Sequence, residues 1–304
     1  MAKTRKHFVF SFFYCIFAKN SKQTMQDIIR IKGEPPEVEE IRMRILNAFD
    51  DLIFIEDGHK YFLNGNQIPS VTTIIGQFEH EFDTDAQAEK YAIEHGFTAD
   101  HWKDEWRFKN LKATTTGTLV HEFGESMGWL KNGHPERITE SCKCKYISEN
   151  GWLIPTRQKE EAVIKFWNDM PSSFHFVLAE TKVYSNKNPD FQTKQQYCGT
   201  FDLLMYYKHP SDDSKSGLVI FDYKTNKELT KAYSRQNNKM LLEPFCDMYD
   251  EPLSAYTLQL SAYQIPLEDI GLKVLGRRVI WLKDDGSYEK IPLDDKTREL
   301  RETL

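Results

Sequence analysis

Four segments of the chain carry an acidic residue two positions before a lysine, the spacing that puts a carboxylate and an amine on one face of a β-strand. The four segments are Glu180-Thr181-Lys182, Asp213-Ser214-Lys215, Asp222-Tyr223-Lys224 and Asp294-Asp295-Lys296. Only the third ends a continuous apolar run, Leu218 to Phe221, which is typical of a buried central strand. On that strand Asp222 and Lys224 point to one side and Tyr223 to the other. An isolated triplet of this kind would otherwise be a surface ion pair.

A second carboxylate is needed beside Asp222, because a single one holds a hard divalent cation poorly. Asp202, in Gly199-Thr200-Phe201-Asp202, lies on the preceding predicted strand. A magnesium ion held by Asp202 and Asp222 would polarise a phosphate oxygen and lower the pKa of a bound water. Lys224 could stabilise charge on the phosphate or deprotonate the water. The nearby carboxylates raise the pKa of its amine and favour charge stabilisation.

The elements that position these residues follow from changes in hydrophobic period. Stretches rich in β-branched and aromatic residues, separated by turn residues, predict strands, and runs of period 3.6 predict helices. The resulting order is one helix, three strands, a helix and a strand, which indicates an antiparallel meander followed by a crossover. In that order the elements are Arg157 to Met170, Phe174 to Tyr184, Tyr197 to Tyr207, Gly217 to Tyr223, Leu253 to Ile265 and Val274 to Leu282.

Upstream of this core, the pattern is less regular. Pro35-Pro36 leads into an amphipathic helix, and two short apolar runs, Leu52 to Ile55 and Tyr61 to Leu63, predict a hairpin. From Ala86 to Leu130 the pattern is helical, with a predicted break at Thr114 to Gly117. The helix after this break carries His121.

Composition limits the class of function. The formal net charge of −6 argues against a protein that coats nucleic acid, yet it suits a metal site built from carboxylates. Five cysteines without paired spacing predict neither a disulfide framework nor a zinc site, and Cys142 and Cys144 are interpreted as loop thiols. We therefore expect a reducing, intracellular setting: the cytoplasm of a bacterium or of a phage-infected host, or an organelle.

The N-terminal segment has basic residues ahead of an apolar run from Phe8 to Ala18. A run of about eleven residues is too short to span a bilayer, and no small-residue cleavage site follows it. We expect neither a signal peptide nor membrane association. Met25 opens a segment of ordinary composition, so the hypothesis is that residues 1–24 precede the native start.

Five motifs occur in order between residues 69 and 263. They are Pro69-Ser70-Val71-Thr72, Gly117-Thr118-Leu119-Val120-His121, Gly199-Thr200-Phe201-Asp202, Asp222-Tyr223-Lys224-Thr225 and Gln259-Leu260-Ser261-Ala262-Tyr263. Together they resemble the PD-(D/E)XK nuclease superfamily, and specifically its RecB-like branch, which includes the mitochondrial genome maintenance exonucleases and related phage exonucleases. The resemblance implies an α/β fold with a restriction-endonuclease-like core of order αβββαβ. Its mixed central sheet would be flanked by helices and follow an N-terminal helical extension.

The resemblance also implies roles for individual residues. His121 would be a metal ligand beside Asp202 and Asp222, although a lone helix histidine would usually have no such role. Glu180 resembles the upstream acid of the branch, with a structural ion pair as the equal alternative. Ser70, Thr72 and Thr225 would contact nucleic acid.

Two helical spacings add further candidates. Gln259 and Tyr263 are four residues apart and share one helical face, which suggests contacts to the DNA backbone or to Lys224. A second set of residues also recurs every four positions and predicts a basic stripe on a helix, serving as a phosphate track or as a solvated face. This basic stripe comprises Lys227, Lys231, Arg235 and Lys239.

The cofactor expected is Mg²⁺, with Mn²⁺ accepted because of the imidazole ligand. Some RecB-like nucleases hold an iron-sulfur cluster with four cysteines; the cysteines here lack that arrangement, so no cluster is expected. The predicted organisation is an N-terminal tail, linker and helix (1–50), a hairpin and helical subdomain (51–113), the nuclease core (114–292) and a C-terminal tail (293–304).

The leading hypothesis is a metal-dependent DNA exonuclease acting on single strands or ends in replication, repair or recombination, with a phage source left open. The alternatives are a structure-specific or sequence-specific endonuclease, and a catalytically silent nucleic-acid-binding protein of the same fold.

Overall fold

The computed structural model describes residues 33–55, 58–134 and 156–304. The predictions for residues 1–24 and for Cys142 and Cys144 lie outside these ranges. None of the helices in the described ranges combines the length and the apolar character needed to cross a membrane.

A five-stranded sheet forms the centre of the molecule. Its strands lie side by side in chain order, and every neighbouring pair is antiparallel except the third pair, which is parallel. The strands are β4 (Phe174–Tyr184), β5 (Cys198–Tyr207), β6 (Gly217–Lys224), β7 (Val274–Leu282) and β8 (Tyr288–Leu293). The three-strand meander and the fourth strand are therefore confirmed, and the fold is mixed α/β. β8 had no counterpart in the sequence prediction.

Strand β6 is the most deeply placed of the five. Residues 217–223 are all buried, as the uninterrupted apolar run predicted for a strand covered on both faces. Parallel pairing of β6 with β7 requires a crossover, and helix α7 (Pro252–Asp269) supplies it. This helix is buried over the whole run from Leu260 to Leu267, so it packs as an internal element rather than a surface one. The predicted helix from Leu253 is confirmed and extends past Ile265.

Seven further α-helices lie in the described ranges. They are α1 (Pro36–Ala48), α2 (Val71–Ile75), α3 (Thr84–His95), α4 (Ala99–Lys131), α5 (Arg157–Asn168), the short α6 (Ala232–Gln236) and α8 (Thr297–Thr303). Helix α1 is anchored by Arg42, which is fully buried and donates from Nε to the carbonyl of Val177 at 2.8 Å. That carbonyl lies at the register shift in β4 between Phe176 and Leu178, where the regular ladder leaves an acceptor without its usual partner.

Helix α4 runs without interruption for 33 residues, so the break predicted at Thr114 to Gly117 is wrong. The hydroxyls of Thr114, Thr115 and Thr116 each donate to the carbonyl four residues earlier, at 2.8 Å. Threonine hydroxyls that bond back in this way compete little with the helical ladder. Helix α4 crosses the proposed boundary at residue 113, and the division into subdomains stays a prediction.

A small antiparallel sheet precedes the core. The predicted hairpin is confirmed as β1 (Ile53–Ile55) and β2 (Lys60–Leu63), and a third strand, β3 (Asn66–Ile68), extends it. The turn between β2 and β3 is Asn64-Gly65, with φ of 51° and 81°, which suits a tight two-residue hairpin. The amide of Cys198 donates to the carbonyl of Pro69 at 3.0 Å and fastens this sheet to the start of β5.

The C-terminal residues also pack into the core. Residues 297–303 of the predicted C-terminal tail form α8, and Leu300 and Leu304 are buried beside α7.

Candidate metal centre

Three carboxylates meet at one level of the central sheet. The register pairs Leu203 with Phe221, which sets Asp202 on β5 beside Asp222 on β6. On the other side of β5, Thr181 pairs with Phe201, which leaves Glu180 opposite Asp202. Asp202 and Asp222 are only 7% and 1% exposed. Carboxylates so far removed from water need a cation or several hydrogen-bond donors nearby.

Helix α4 brings an imidazole onto this cluster. Tyr223 points away from Asp222 and packs against Gly124, where an added Cβ would lie 2.7 Å from the tyrosine ring. This close approach sets α4 against the sheet and places His121, one turn earlier, beside Asp202. The distance from His121 Nδ1 to Asp202 Oδ2 is 3.1 Å, and the backbone N–H of Tyr223 donates to the same oxygen at 2.7 Å.

His121, Glu180 and Asp202 together form a possible metal-binding group. One ligand atom from each lies within 4.8 Å of the others. The sequence had placed Asp222 in the ligand set and left Glu180 as either the upstream acid of the nuclease branch or a structural ion-pair residue. In the structure Asp222 Oδ2 instead forms an ion pair with Lys224 Nζ, next to the group of three.

The ionisation of these residues reflects burial opposed by neighbouring charge. Burial lowers the pKa of His121, but the carboxylate of Asp202 outweighs it and raises the value to about 9. Burial raises the pKa of Glu180 to about 8, with a further contribution from Asp202. Burial and the charge of Asp202 raise the pKa of Asp222 to about 6. Asp202 is the exception: burial raises its pKa, yet His121, Lys224 and the Tyr223 N–H together hold it below the ordinary value.

Glu180 has an unusual backbone for a strand residue. Its φ is +45°, and the hydroxyl of Thr181 donates to the carbonyl of Ala179 at 3.0 Å across the kink. A side chain in the left-handed region costs free energy that the surroundings must supply. The kink lies at the residue whose carboxylate completes the group with His121 and Asp202.

The donor set fits a hard divalent cation. Glu180, Asp202 and Asp222 can bear three negative charges, while Lys224 is the lysine whose ammonium lies among them. This excess of negative charge is reduced by the raised pKa values of Glu180 and Asp222 and by the proton on His121. Oxygen and imidazole ligands suit Mg²⁺ and Mn²⁺.

Lys224 is held from two sides. Besides its ion pair with Asp222, its ammonium lies 4.4 Å from the ring centroid of Tyr256. The Tyr256 hydroxyl donates to Asn226 Oδ1 at 2.7 Å, which fixes the ring. Sequence reasoning missed Tyr256, although it lies three positions before Gln259 and so on the same face of α7.

Gln259 and Tyr263 contact each other. Gln259 Nε2 donates to the Tyr263 hydroxyl at 2.9 Å, and the tyrosine ring packs so tightly on Gly199 that no side chain could be accommodated there. Both residues line a cavity of about 720 Å³, and His121, Glu180 and Lys224 line it too.

The predicted nucleic-acid contacts Ser70, Thr72 and Thr225 line the same cavity. Ser70 Oγ also caps α2, where it accepts from the backbone N–H of Thr73 at 3.2 Å and contacts Thr72 Oγ1 at 2.8 Å. Thr225 lies near Gly117 on α4, with its Oγ1 3.7 Å from the position of an added Cβ.

The structure does not form the predicted basic stripe. Only Ala232–Gln236 of the stretch from Asn226 to Lys239 is helical, so the four-residue spacing does not produce a common face. Lys231 and Lys239 lie 3.6 and 2.6 Å from the carboxylate of Asp250, and Arg235 binds Glu251 through two nitrogens at 3.0 and 2.7 Å. These cations neutralise buried acids that follow later in the chain. Lys227 is exposed and forms no ion pair within the described ranges.

Comparison with known proteins finds a weakly similar solved structure and no matching sequence family. No family model and no curated protein matches the chain. Among solved structures, a protein from Eubacterium rectale described as a "Putative exonuclease" aligns with 15% identity and a TM-score of 0.35. The alignment covers 61% of this chain and 62% of that one, less than two thirds of its length. At this TM-score the likeness does not establish a shared fold, so the function has to be argued from the residues of this chain.

Proposed function

We propose that this protein is a metal-dependent deoxyribonuclease of the PD-(D/E)XK type. The observation that carries the proposal is that His121, Glu180 and Asp202 lie together, next to the Lys224–Asp222 ion pair. Three residues of this arrangement, His121, Glu180 and Lys224, line one cavity. A cation group with a lysine beside it suits phosphodiester hydrolysis, because negative charge develops on the phosphate during the reaction.

His121, Glu180 and Asp202 would hold the cation, with Asp222 on the neighbouring strand as a further oxygen donor. A bound Mg²⁺ or Mn²⁺ supplies Lewis acidity toward a phosphate oxygen and a water of lowered pKa. The Tyr223 N–H orients Asp202 by donating to Oδ2, and the packing of Tyr223 on Gly124 holds the imidazole at the same oxygen.

Lys224 acts as a fixed positive charge. Burial lowers the pKa of its amine, but Asp222 and Asp202 outweigh that effect and hold the pKa above its ordinary value. The amine therefore keeps its proton at neutral pH, which makes it a poor base and a suitable partner for a phosphate oxygen. Asp222 and the Tyr256 ring fix its position.

Gln259 and Tyr263 supply a hydroxyl donor to the cavity. Because the Tyr263 oxygen accepts from Gln259 Nε2, its own proton is free to be donated. Burial holds the pKa of this phenol well above the ordinary value, so the proton is retained at neutral pH. The proposed role is a hydrogen bond to a phosphate oxygen of the DNA backbone.

The specific activity proposed is that of an exonuclease on single strands or DNA ends in replication, repair or recombination, which the motif resemblance supports. The test is an assay of the purified protein on end-labelled linear single-stranded DNA with Mg²⁺, Mn²⁺ or EDTA. Asp202→Asn should abolish cleavage. Asp294→Asn, at an exposed aspartate of another acidic-x-lysine triplet, which does not line the cavity, should cleave like the wild type.

Covalently closed circular single-stranded DNA separates the two kinds of nuclease, since an exonuclease leaves it intact and an endonuclease does not. If neither substrate is cut with either metal, the proposed function is wrong and the hypothesis of a catalytically silent nucleic-acid-binding protein is correct.

A further inference from the structure

The cavity extends beyond the metal group to an aromatic wall formed by the small N-terminal sheet. Phe54, His59 and Tyr61 line it together with His121 and Glu180. The ring centroid of Phe54 lies 4.9 Å from that of His59 and 4.8 Å from that of Tyr61, so the three rings form one cluster. Tyr61 is buried, whereas His59 is exposed and Phe54 is half-buried.

A lysine and a threonine lie between this wall and the metal group. Lys182 pairs with Thr200 across β4 and β5, two residues beyond Glu180 and Asp202 on the same strands. The Thr200 hydroxyl contacts the Tyr61 hydroxyl at 3.2 Å, which links the core sheet to the wall. Lys182 Nζ lies 5.6 Å from the Phe54 ring centroid, and no carboxylate of the described ranges forms an ion pair with it.

The backbone at the wall is also unusual. His59 has φ of +49° although it is not a glycine, and among the described residues only Phe97, Glu180 and three asparagines share this property. Asparagine and histidine are enriched in the left-handed region, whereas glutamate adopts it less readily. His59 and Glu180 both line the cavity, one at the wall and the other at the metal group.

Aromatic rings beside an ammonium that forms no ion pair with a described carboxylate are the chemistry that binds an unpaired nucleotide. Every base has a flat face that can stack on an aromatic ring, and a lysine can meet the phosphate of the same nucleotide. A base inside a duplex is stacked on its neighbours and cannot offer that face. The wall is continuous with the metal group, so a strand bound there would lead toward it.

We propose that Phe54, His59 and Lys182, backed by Tyr61 and Thr200, form a subsite for one unpaired nucleotide of single-stranded DNA beside the metal group. The base lies against the Phe54 and His59 rings and a flanking phosphate meets the Lys182 ammonium. The assignment of DNA as the ligand rests on the proposed function.

The test measures binding without cleavage. A fluorescein-labelled octamer of thymidylate is titrated with protein in EDTA and in Ca²⁺, and fluorescence anisotropy is recorded. An octamer of the same charge, in which abasic sites replace the bases, is the matched probe. Wild-type protein should bind the thymidylate octamer more tightly, because only this probe can stack.

Three variants remove the parts of the subsite and spare the fold. Phe54→Leu keeps an apolar side chain in the half-buried position, and His59→Asn suits the positive φ. Each should weaken binding of the thymidylate octamer by roughly 5- to 100-fold, the range for loss of one stacking partner, and leave the abasic octamer unaffected. Lys182→Met should weaken the binding of both probes and reduce the slope of log affinity against log salt concentration by about 0.7.

Matched controls come from elsewhere on the chain. Phe191→Leu removes a ring that is 62% exposed and does not line the cavity. Lys290→Met removes a lysine that also lies over an aromatic ring, that of Tyr288 on the edge strand β8. Both should bind like the wild type, and thermal unfolding of every variant checks that it is folded.

The proposal is overturned if the two probes bind equally to the wild type, if neither binds in either buffer, or if the folded subsite variants bind no differently from the controls. Its failure is separate from that of the proposed function. Cleavage without base-dependent binding supports the proposed nuclease and contradicts the subsite. Base-dependent binding without cleavage supports the subsite and contradicts the proposed nuclease.

Discussion

His121 Nδ1 lies 3.1 Å from Asp202 Oδ2, although one residue belongs to helix α4 and the other to strand β5. Tyr223 connects them: its ring packs on Gly124 of the helix and its backbone N–H donates to the aspartate. The position of the imidazole therefore depends on how closely one helix approaches one strand.

Gly124→Ala tests that dependence. The new methyl group would lie 2.7 Å from the Tyr223 ring, so we expect a loss of about 1–3 kcal/mol in the free energy of unfolding and weaker metal binding. Gly117→Ala, on the same helix, is the matched control, since its Cβ meets only Thr225 Oγ1 at 3.7 Å. That variant should gain up to about 1 kcal/mol from helix propensity. Urea unfolding measures the change in the free energy of unfolding for both variants. If the two changes had the same sign, the packing of Tyr223 on Gly124 would not explain them.

His121→Gln should remove most of the stabilisation by metal. A cation at 100 times its dissociation constant raises the free energy of unfolding by about 2.7 kcal/mol. We expect Mn²⁺ to raise the melting temperature of the wild type, and to have little effect on the variant. His95→Gln, at a histidine on helix α3 whose side chain is 52% exposed, should respond like the wild type. An unchanged response in His121→Gln would exclude this residue as a ligand.

The stability of the metal-free protein should fall as pH rises from 7 to 9.5. Burial raises the pKa of Glu180 to about 8, and Asp202 raises that of His121 to about 9 against the effect of burial. Their unfolded values are about 4.3 and 6.5, so over this range the folded protein binds more protons than the unfolded chain. The contribution of His121 to the free energy of unfolding is fully present below pH about 6.5 and is lost as pH rises through about 9. The contribution of Asp202 to stability has the opposite pH dependence, because its folded pKa is lowered: it is lost as pH falls below about 4.

Urea unfolding in EDTA at a series of pH values measures this loss. Added Mg²⁺ should reduce it, because the cation takes the place of the protons, and Glu180→Gln should remove the part that belongs to Glu180. A stability that is flat or rising between pH 7 and 9 would show that these groups are not protonated in the folded protein.

Lys239→Met should act on stability rather than on DNA. The Lys239 ammonium lies 2.6 Å from the buried carboxylate of Asp250, so its removal should cost about 1–3 kcal/mol of unfolding free energy. Lys227→Met, at an exposed position without an ion pair to any described residue, should leave stability unchanged. A phosphate-track role would be restored if Lys239→Met instead lowered the salt dependence of single-strand binding without affecting unfolding.

The order of the core elements could be predicted because it depends on local patterns. The apolar run Leu218 to Phe221 marks a strand covered on both sides, and alternation then places Asp222 and Lys224 on one face. The threonines of α4 were misleading for the same reason. Their weak helix propensity is a local signal, which the packing of the helix in the tertiary structure outweighs.

The sequence by itself determined which strands carry Asp202, Asp222 and Lys224, because strand periodicity is encoded within a few residues. Only the tertiary structure decided that Glu180 groups with His121 and Asp202 while Asp222 pairs with Lys224, and that Asp250 and Glu251 neutralise the basic residues before them. Distances between separate segments are set by side-chain packing, such as that of Tyr223 on Gly124, and by register between strands. Neither is contained in the spacing of residues along one segment.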